Sequence, residues 1–216
     1  MTDDVKEVDP WASKPEPWMI LASGTQAHPF APTMDEINIE DIAQSLSKQC
    51  RFNGHIKPVF VDDIYSVAQH CVLAEMLVVQ QGSPEIVITP QECLGALLHD
   101  SGEQLFGDLV SPVKSRYPEF KKDEVSYTTL VYEKFGVPSV IEDPTIHKVI
   151  HWADWQMVLM EVAELTSITD TLWHEWVGFE QPMGLLIDID PDFRLWGPRE
   201  ARDRFLTRFY ELQEYV

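Results

Sequence analysis

Positively charged residues are scarce in this 216-residue sequence, which has 16 lysines and arginines against 36 aspartates and glutamates and a formal net charge of −20. Such a surface repels nucleic-acid phosphates and anionic membranes, which argues against a nuclease or a membrane-surface protein. A protein of this charge that handles phosphate needs a small pocket with its own cations. No apolar run approaches the ~20 residues of a membrane span, and acids follow Met1 where a signal sequence would be basic, so we expect a cytoplasmic protein.

Cysteines are few, and their spacing is not that of a metal-binding motif. Cys50, Cys71 and Cys93 each lie in an apolar stretch, which predicts buried free thiols in a reducing compartment. Strand patterns are also weak throughout the sequence. We therefore predict an all-α protein with a short strand or hairpin near the N-terminus.

The sequence divides into an acidic arm and one domain. Residues 1–17 are acidic and contain three prolines, which is typical of a mobile arm. We expect a single domain over residues 18–216, since this length suits one compact core. Residues 18–32 predict a loop or hairpin, and the irregular, Trp-rich segment 166–196 predicts an insertion before the last helix.

Apolar residues at helical spacing predict six helices. The first has an apolar face from Ile39 to Cys50, the second is capped by Ser66, and the third is capped by Thr89 and continues through Glu103. The fourth covers residues 120–135, the fifth is a long helix from Pro144 through Leu165, and the last begins at Pro198.

A histidine and an acid, His99 and Asp100, end the apolar run of residues 94–98. Burying an unpaired charge costs several kcal/mol, so a cation is the simplest compensation. Glu103 shares this helical face, since it follows His99 by four residues, and Asp108 follows just beyond the predicted helix end.

His70 and Asp154 lie within or beside other apolar helix faces. Taken singly, each has an ordinary interpretation, as a core histidine or a surface acid. Two imidazoles and two carboxylates together suit one divalent transition-metal ion, such as Co²⁺, Zn²⁺, Mn²⁺, Fe²⁺ or Ni²⁺. His147, His151 and Asp154 form a second metal-like pattern on one helix face, although such spacing often arises by chance.

The order of these residues, H…HD…D, resembles that of the HD-domain phosphohydrolases. The segments CRFNGH, YSVAQH, LLHDSGEQLFGDLVSPVK and ADWQMVLMEV resemble in particular the bacterial 5′-deoxynucleotidases and the phage dATP triphosphohydrolases that accompany 2-aminoadenine genomes. The resemblance covers about residues 37–165 and implies an HD-domain helical bundle.

The resemblance also implies roles for individual residues. It implies that the ion is held by His70, His99, Asp100 and Asp154. Glu103 and Asp108 match acids near the attacking water, and Arg51 and Lys114 match phosphate contacts. Without the resemblance, Arg51 would be a cation at a helix C-terminus and Lys114 a solvated loop lysine. The implied base pocket consists of Phe52, Gly54 and Pro112, and we predict that Trp18 and Ile20 close it.

The implied activity is hydrolysis of deoxynucleotides. The first expectation is a dATP (dNTP) triphosphohydrolase, in which water activated by the ion attacks the α-phosphorus and releases deoxynucleoside and tripolyphosphate. The alternatives are a 5′-deoxynucleotidase acting on dNMPs and a non-catalytic nucleotide- or metal-binding regulatory module. Relatives imply a homo-oligomer. Trp173, Trp176 and Trp196 suggest either an apolar surface that a partner subunit covers or a local lid that packs on its own domain.

Overall fold

The computed structural model describes residues 16–60, 63–139, 142–169, 171, 172, 175 and 186–216. It confirms the all-α class, and it confirms a short antiparallel hairpin near the N-terminus. The arm over residues 1–15 and the side chains of Trp173 and Trp176 lie outside the described residues. No described helix has the length and apolar character that crossing a membrane requires.

The structure consists of two short strands and a series of helices. The strands are β1 (Met19–Ile20) and β2 (Gln26–Ala27), and the helices are α1 (Ile39–Leu46), α2 (Val67–Gln80), α3 (Pro90–Leu98), α4 (Glu103–Phe106), α5 (Ser111–Lys114), α6 (Pro118–Phe135), α7 (Pro144–Leu165), α8 (Leu186–Ile189) and α9 (Pro198–Gln213).

Side-chain caps set the start of the helices that carry the candidate site. The Ser66 hydroxyl accepts a hydrogen bond from the Gln69 N–H at the start of α2. Thr89 and Glu92 form a reciprocal capping box at the start of α3. The Asp143 carboxylate caps α7. These caps satisfy backbone N–H groups that have no partner within the helix.

Helix α2 lies in the middle of the core, where it packs against α3, α7 and α9. Nearly all its side chains from Val67 to Ala74 are buried, as expected for a helix surrounded by others. Helix α3 also packs closely against α7. A Cβ atom at Gly95 would lie 2.4 Å from the Ile150 side chain, so glycine permits this approach. The packing brings the C-terminal end of α3 beside the middle of α7.

Helix α3 is shorter than predicted, because it ends at Leu98 and not at Glu103. The chain tightens there into bonds between residues three apart, from the Ser101 N–H to the Leu98 carbonyl (3.0 Å) and from the Glu103 N–H to the Asp100 carbonyl (3.0 Å). Gly102 approaches α6 so closely that an added Cβ would lie 2.6 Å from the Glu124 carbonyl oxygen. Glu103 therefore begins a separate helix, α4.

The prediction that Cys50 belongs to the first helix is wrong. Helix α1 ends at Leu46, and Cys50 forms an isolated antiparallel bridge with Ser66. All three cysteines are free thiols as predicted, but only Cys71 and Cys93 are buried, and Cys50 is half-buried at the edge of this bridge.

Trp196 is buried, which fits packing on its own domain and not an apolar surface left for a partner subunit. Its backbone N–H donates to the Gln69 side-chain oxygen at 2.9 Å, and the Arg204 guanidinium lies 4.2 Å from the centre of its ring. The segment before α9 thus packs on the chain's own core.

Candidate metal centre

Four predicted ligands converge from three helical segments. His70 lies in α2, His99 and Asp100 follow α3, and Asp154 lies in α7. The Nε2 atoms of His70 and His99 are 3.1 Å apart. Asp100 Oδ2 lies 3.6 Å from His70 Nε2 and 3.3 Å from His99 Nε2. Asp154 Oδ1 lies 3.3 Å and 3.6 Å from the same two nitrogens. The donor atoms of His70, His99 and Asp100 all lie within 4.8 Å of one another, and Asp154 contacts both imidazoles.

Hydrogen bonds on the far side of each ring orient the two imidazoles. His99 Nδ1 lies 2.7 Å from the Ala96 carbonyl oxygen, which can only accept, so Nδ1 carries the proton. His70 Nδ1 lies 2.5 Å from Glu161 Oε1 and donates in the same way. In the neutral rings, both Nε2 atoms then direct a lone pair toward the common point, the form in which histidine binds metals.

The spacing of these atoms fits one divalent ion. Donors bound at about 2.1 Å and separated by 90–110° lie about 3.0–3.4 Å apart. Three of the five contacts, at 3.1 Å, 3.3 Å and 3.3 Å, lie in this range, and the contacts of Asp100 with His70 and of Asp154 with His99 are slightly longer, at 3.6 Å. Two nitrogen lone pairs 3.1 Å apart repel each other unless a positive charge lies between them. The donor set, two imidazoles and two carboxylates, therefore suits a transition-metal ion.

The local electrostatics favour positive charge at the same point. Burial acts to lower the pKa of the His99 imidazole, but the charge of Asp100, the charge of Cys71 and hydrogen bonds with Asp100 and Asp154 together raise it well above its ordinary value. Burial acts to raise the pKa of Asp154, but hydrogen bonds from both imidazoles shift it far below its ordinary value. The two carboxylates thus create a negative potential that a proton or a metal ion can neutralise.

Glu161 is a buried carboxylate that sequence reasoning missed. Its side chain has no exposed surface, and it accepts hydrogen bonds from His70 Nδ1, from the Tyr65 hydroxyl at 2.7 Å and from Arg51 Nε at 3.3 Å. It lies on α7 seven residues, or about two turns, after Asp154. That spacing was the signal in the sequence that could have identified it.

Glu103 lies close to the candidate metal centre, and one of its carboxylate oxygens accepts no hydrogen bond from the described residues. Its side chain is 4% exposed, and Oε1 lies 3.5 Å from Lys114 Nζ. Oε2 is buried and has no hydrogen-bond partner among the described residues. Burial raises the pKa of Glu103 to about 9, and the charges of Asp100 and Asp108 add to the increase. A bound cation would act in the opposite direction, because positive charge favours the carboxylate.

Gln49, a second residue that the prediction missed, holds the segment between Glu103 and Asp108. Its amide nitrogen donates to the Glu103 carbonyl at 2.9 Å, and its amide oxygen accepts from the Asp108 N–H at 3.0 Å. Burial raises the pKa of the Asp108 carboxyl, and the charge of Arg51 opposes this increase. Both predicted catalytic acids are therefore fixed in one short, partly buried segment.

The two predicted phosphate contacts are both held by acids of the site. Arg51 is buried, and its Nη1 atom lies 3.2 Å from Asp100 Oδ2. It follows Cys50 rather than a helix end, so the alternative of a helix C-terminal cation does not apply. Lys114 lies in α5 and pairs with Glu124 at 2.8 Å, which excludes a solvated loop lysine.

The turn after Arg51 has an unusual backbone. Phe52 and Asn53 have φ angles of 56° and 50°, and Gly54 follows with 76°. The left-handed conformation costs residues other than glycine about 1–2 kcal/mol each, and such strain is typical of functional segments. Gly54 thus has a backbone role in this turn, in addition to its place in the implied base pocket. Phe52 packs partly against the core, near the Arg51 guanidinium.

The remaining predicted pocket residues come from the N-terminal segment and from α5. Trp18 lies two residues before Ile20, which is 65% exposed in β1, and Pro112 is exposed in α5. A cavity of about 820 Å³ adjoins His99, Asp100 and Asp154. Within the described chain, its lining residues include none of Trp18, Ile20, Phe52, Gly54 and Pro112.

Comparison with known proteins finds two similar bacterial proteins. The chain is 33% identical to YfdR of Escherichia coli (strain K12) over 180 residues, which cover 83% of this chain and 86% of YfdR. It is 31% identical to RCAP_rcc00048 of Rhodobacter capsulatus over 199 residues, which cover 90% and 95% of the two chains. Both relatives are named uncharacterized proteins. No protein-family model matches the chain.

Proposed function

This chain belongs to the family that includes YfdR and RCAP_rcc00048, and we propose that it is an HD-domain phosphohydrolase acting on deoxynucleotides. The substrate to test first is dATP, among the other dNTPs, with release of deoxynucleoside and tripolyphosphate. One observation carries the proposal. The donor atoms of His70, His99 and Asp100 lie close enough together to bind one ion, Asp154 contacts both imidazoles, and a buried acid and two cations lie beside them.

The four convergent side chains, His70, His99, Asp100 and Asp154, would hold the ion. A bound divalent ion supplies Lewis-acid chemistry, because it lowers the pKa of water and draws charge from a phosphate oxygen. Glu161 keeps His70 in the required orientation and tautomer.

Arg51 and Lys114 bind the phosphates in this scheme. A guanidinium has five N–H groups, and the bonds of Arg51 to Asp100 and Glu161 use two of them. Lys114 lies 3.5 Å from Glu103 and can contact a phosphate oxygen next to the reacting water. These cations offset the charge that develops during phosphoryl transfer.

Glu103 orients the attacking water and accepts its proton. Its buried Oε2 atom, which has no hydrogen-bond partner in the described part of the chain, is available for this contact. Asp108 lies in the same segment, which Gln49 holds. The water oxygen becomes bonded to the α-phosphorus, and the bond from that phosphorus to the 5′ oxygen breaks. The 5′ oxygen takes up a proton, so the products are a deoxynucleoside and tripolyphosphate.

Two other functions use the same residues. Attack on a deoxynucleoside monophosphate gives deoxynucleoside and orthophosphate. The two substrates differ only in the β- and γ-phosphates, which the monophosphate lacks. A regulatory module would bind a nucleotide or a metal without turnover. The buried acid Glu103 favours the enzyme, because a binding module has no need for an unpartnered acid beside its ion.

The test is a product analysis with two variants. Metal-loaded protein, in Co²⁺ and in Mn²⁺, is incubated with the four dNTPs and four dNMPs, and the products are separated by chromatography. We expect Asp100→Ala to lose metal and turnover together. Glu103→Gln should retain metal and lose turnover by about 10²–10⁴-fold, the usual contribution of a positioned acid or base.

The outcomes separate the three functions. Tripolyphosphate supports the triphosphohydrolase, and orthophosphate from monophosphates alone supports the 5′-deoxynucleotidase. No consumption of any nucleotide by metal-loaded protein would favour the regulatory module. Full activity of Asp100→Ala would contradict the assigned centre.

We also propose that the protein acts in the cytoplasm, which is the host cytosol if a phage encodes it, and as a homo-oligomer. The free thiols of Cys50, Cys71 and Cys93 support a reducing compartment. The charge of −20 supports a mononucleotide substrate rather than a nucleic-acid polymer or a membrane.

A further inference from the structure

Glu103 and Asp108, the two acids assigned to the attacking water, lie at the start of α4 and just after its end. Helix α4 is a single turn of four residues. A helix of that length is not stable by itself, so contacts with neighbouring elements determine where it lies. The position of both acids therefore depends on what holds α4 and the residues that follow it.

The Glu103 side chain does little to fix its own position. Its Oε2 atom accepts no hydrogen bond from the described residues, and Oε1 lies 3.5 Å from Lys114 Nζ, which is longer than an ordinary hydrogen bond. The backbone must then hold the residue. The Glu103 carbonyl accepts from the Gly107 N–H at 2.8 Å, within the turn, and from Gln49 Nε2 at 2.9 Å. Among the described residues, Gln49 thus supplies the hydrogen bond that holds this backbone from outside its own segment.

A single amide bonds to both ends of the segment. Gln49 Nε2 donates to the Glu103 carbonyl, and Gln49 Oε1 accepts from the Asp108 N–H at 3.0 Å. Nε2 also donates to Ser45 Oγ of α1 at 2.9 Å, so both of its hydrogens are used and the amide cannot be reversed without losing these bonds. Because the amide group is planar and rigid, it fixes the separation between the backbones of the two acids.

Gln49 is itself anchored in the same short segment as Arg51. The Gln49 carbonyl accepts from the Val67 N–H at 3.1 Å, and the Arg51 N–H donates to the Tyr65 carbonyl at 2.9 Å. Cys50, between them, is extended, with φ −84° and ψ 125°, so the side chains of its two neighbours lie on the same side of the segment. One fixed segment therefore carries both the amide that holds the acids and the guanidinium assigned to phosphate.

We propose that Gln49 is a positioning residue, whose amide sets where Glu103 and Asp108 lie relative to Arg51. This inference rests on the proposed function for the roles of these three residues. The amide of Gln49 bonds to none of the four candidate metal ligands in the described part of the chain, so its removal should leave the ion in place. A displacement of about 1 Å can lower a rate about 10²-fold, so the loss should appear in kcat.

The test changes the amide in two ways. Gln49→Ala removes its hydrogen bonds. Gln49→Glu keeps the size of the side chain and the acceptor for the Asp108 N–H, but the carboxylate has no donor for the Glu103 carbonyl. Gln80→Ala is the matched control, because the Gln80 amide also donates to two backbone carbonyls, which belong to α8. Gln80 follows His70 by ten residues on α2, or about 15 Å.

Two measurements are made on Co²⁺-loaded protein, and circular dichroism checks the fold. The first is hydrogen–deuterium exchange of the peptide containing residues 103–110, which should be about tenfold faster in Gln49→Ala, because the Asp108 N–H loses its acceptor. The second is steady-state kinetics on the nucleotide that the wild type hydrolyses. We expect kcat to fall about 10–100-fold in both Gln49 variants, with KM within about threefold of the wild-type value, since Arg51 keeps its own bonds.

The control and the metal should be unaffected. Gln80→Ala should match the wild type within about twofold in kcat and in exchange of residues 103–110, and Co²⁺ affinity should be equal in all variants. If Gln49→Ala unfolds, the comparison of Gln49→Glu with Gln80→Ala tests the inference alone.

The contrary results separate this inference from the proposed function. Wild-type kcat in Gln49→Glu overturns the inference and leaves the proposed function standing, as does a loss confined to KM or to Co²⁺ affinity, or an equal loss in Gln80→Ala. If the wild type hydrolyses no nucleotide while exchange of residues 103–110 rises only in Gln49→Ala, the proposed function fails and the placement of the acids by Gln49 stands. If neither hydrolysis nor a change in exchange is observed, both fail.

Discussion

Glu161 illustrates how a single buried residue can orient a candidate metal ligand without being one itself. Its carboxylate accepts from His70, Tyr65 and Arg51, so three side chains from different parts of the chain depend on it. Burial acts to raise the pKa of Glu161, but the charges of Arg51 and His70 lower it below its ordinary value. The residue therefore stays ionised and holds the proton on His70 Nδ1.

We predict that Glu161→Gln weakens metal binding about 10–100-fold, the usual effect of removing a partner of a ligand histidine. A neutral amide holds the imidazole less strongly and leaves the charge of Arg51 less compensated. Competition with a chromophoric chelator measures the dissociation constant of Co²⁺, and circular dichroism checks the fold.

Glu164→Gln is the matched control, because it makes the same charge change one turn further along α7. The Glu164 carboxylate accepts from the Leu186 N–H rather than from the metal network. Equal Co²⁺ affinity of Glu161→Gln and the wild type would show that Glu161 does not position His70.

Site residues could be predicted from the sequence when the signal was local, and not when it depended on contacts between distant positions. His70, His99, Asp100 and Asp154 were predicted because each is a polar residue in or next to an apolar helix, and because their order resembles a known family. The partners of Glu161 lie 91 to 110 positions away, so they become visible only when α2 and α7 pack together. The cavity beside the candidate metal centre depends on packing in the same way, since it lies between α6 and α7.

At the scale of helices, a buried ion pair joins α2 to α9. Glu75 has no exposed surface, and its oxygens lie 2.6 and 3.1 Å from Arg208 nitrogens. Burial raises the pKa of Glu75 above its ordinary value even though Arg208 opposes the increase. A buried carboxylate that loses its partner is strongly destabilising.

We predict that Arg208→Ala lowers the free energy of unfolding by about 2 kcal/mol at pH 8. Without Arg208, the pKa of Glu75 in the folded state rises further above that in the unfolded state. A raised pKa contributes stability below the unfolded value of about 4.3 that is lost as the pH rises through the folded value. The loss should therefore be smaller at pH 5 than at pH 8, as measured by urea unfolding.

Arg202→Ala is the control on the same helix, because Arg202 pairs with Asp203 in solvent and its side chain is 41% exposed. Such pairs contribute about 0–1 kcal/mol. If Arg208→Ala and Arg202→Ala have equal effects, or if the loss in Arg208→Ala is greater at pH 5, the buried pair does not stabilise the α2–α9 contact.

Helix starts were more predictable than helix ends. Ser66, Thr89 and Asp143 are local signals, and α2, α3 and α7 begin directly after them. The end of α3 was mispredicted because tertiary contacts decide it. Gly102 packs on α6 and donates to the Thr128 hydroxyl, a contact between residues 26 positions apart.

At the scale of the molecule, the proposed ion joins α2, α3 and α7, which form the centre of the core. An ion that binds the folded state but not the unfolded chain stabilises the fold by mass action. The effect does not require turnover, so it tests the metal centre independently of any substrate.

We predict that Co²⁺ at 100 times its dissociation constant raises the free energy of unfolding by about 2.7 kcal/mol, and that a chelator reverses the gain. Urea unfolding with and without the ion measures it. Asp154→Asn should lose most of the increment, because Asp154 Oδ1 contacts both imidazoles. Asp143→Asn changes the cap of the same helix, so we expect a somewhat lower free energy of unfolding without the ion. The increase that Co²⁺ produces should be the same as in the wild type. Equal stability of the wild type with the ion and with chelator would mean that the four donors bind no ion, since a ligand held only by the folded state must shift the equilibrium.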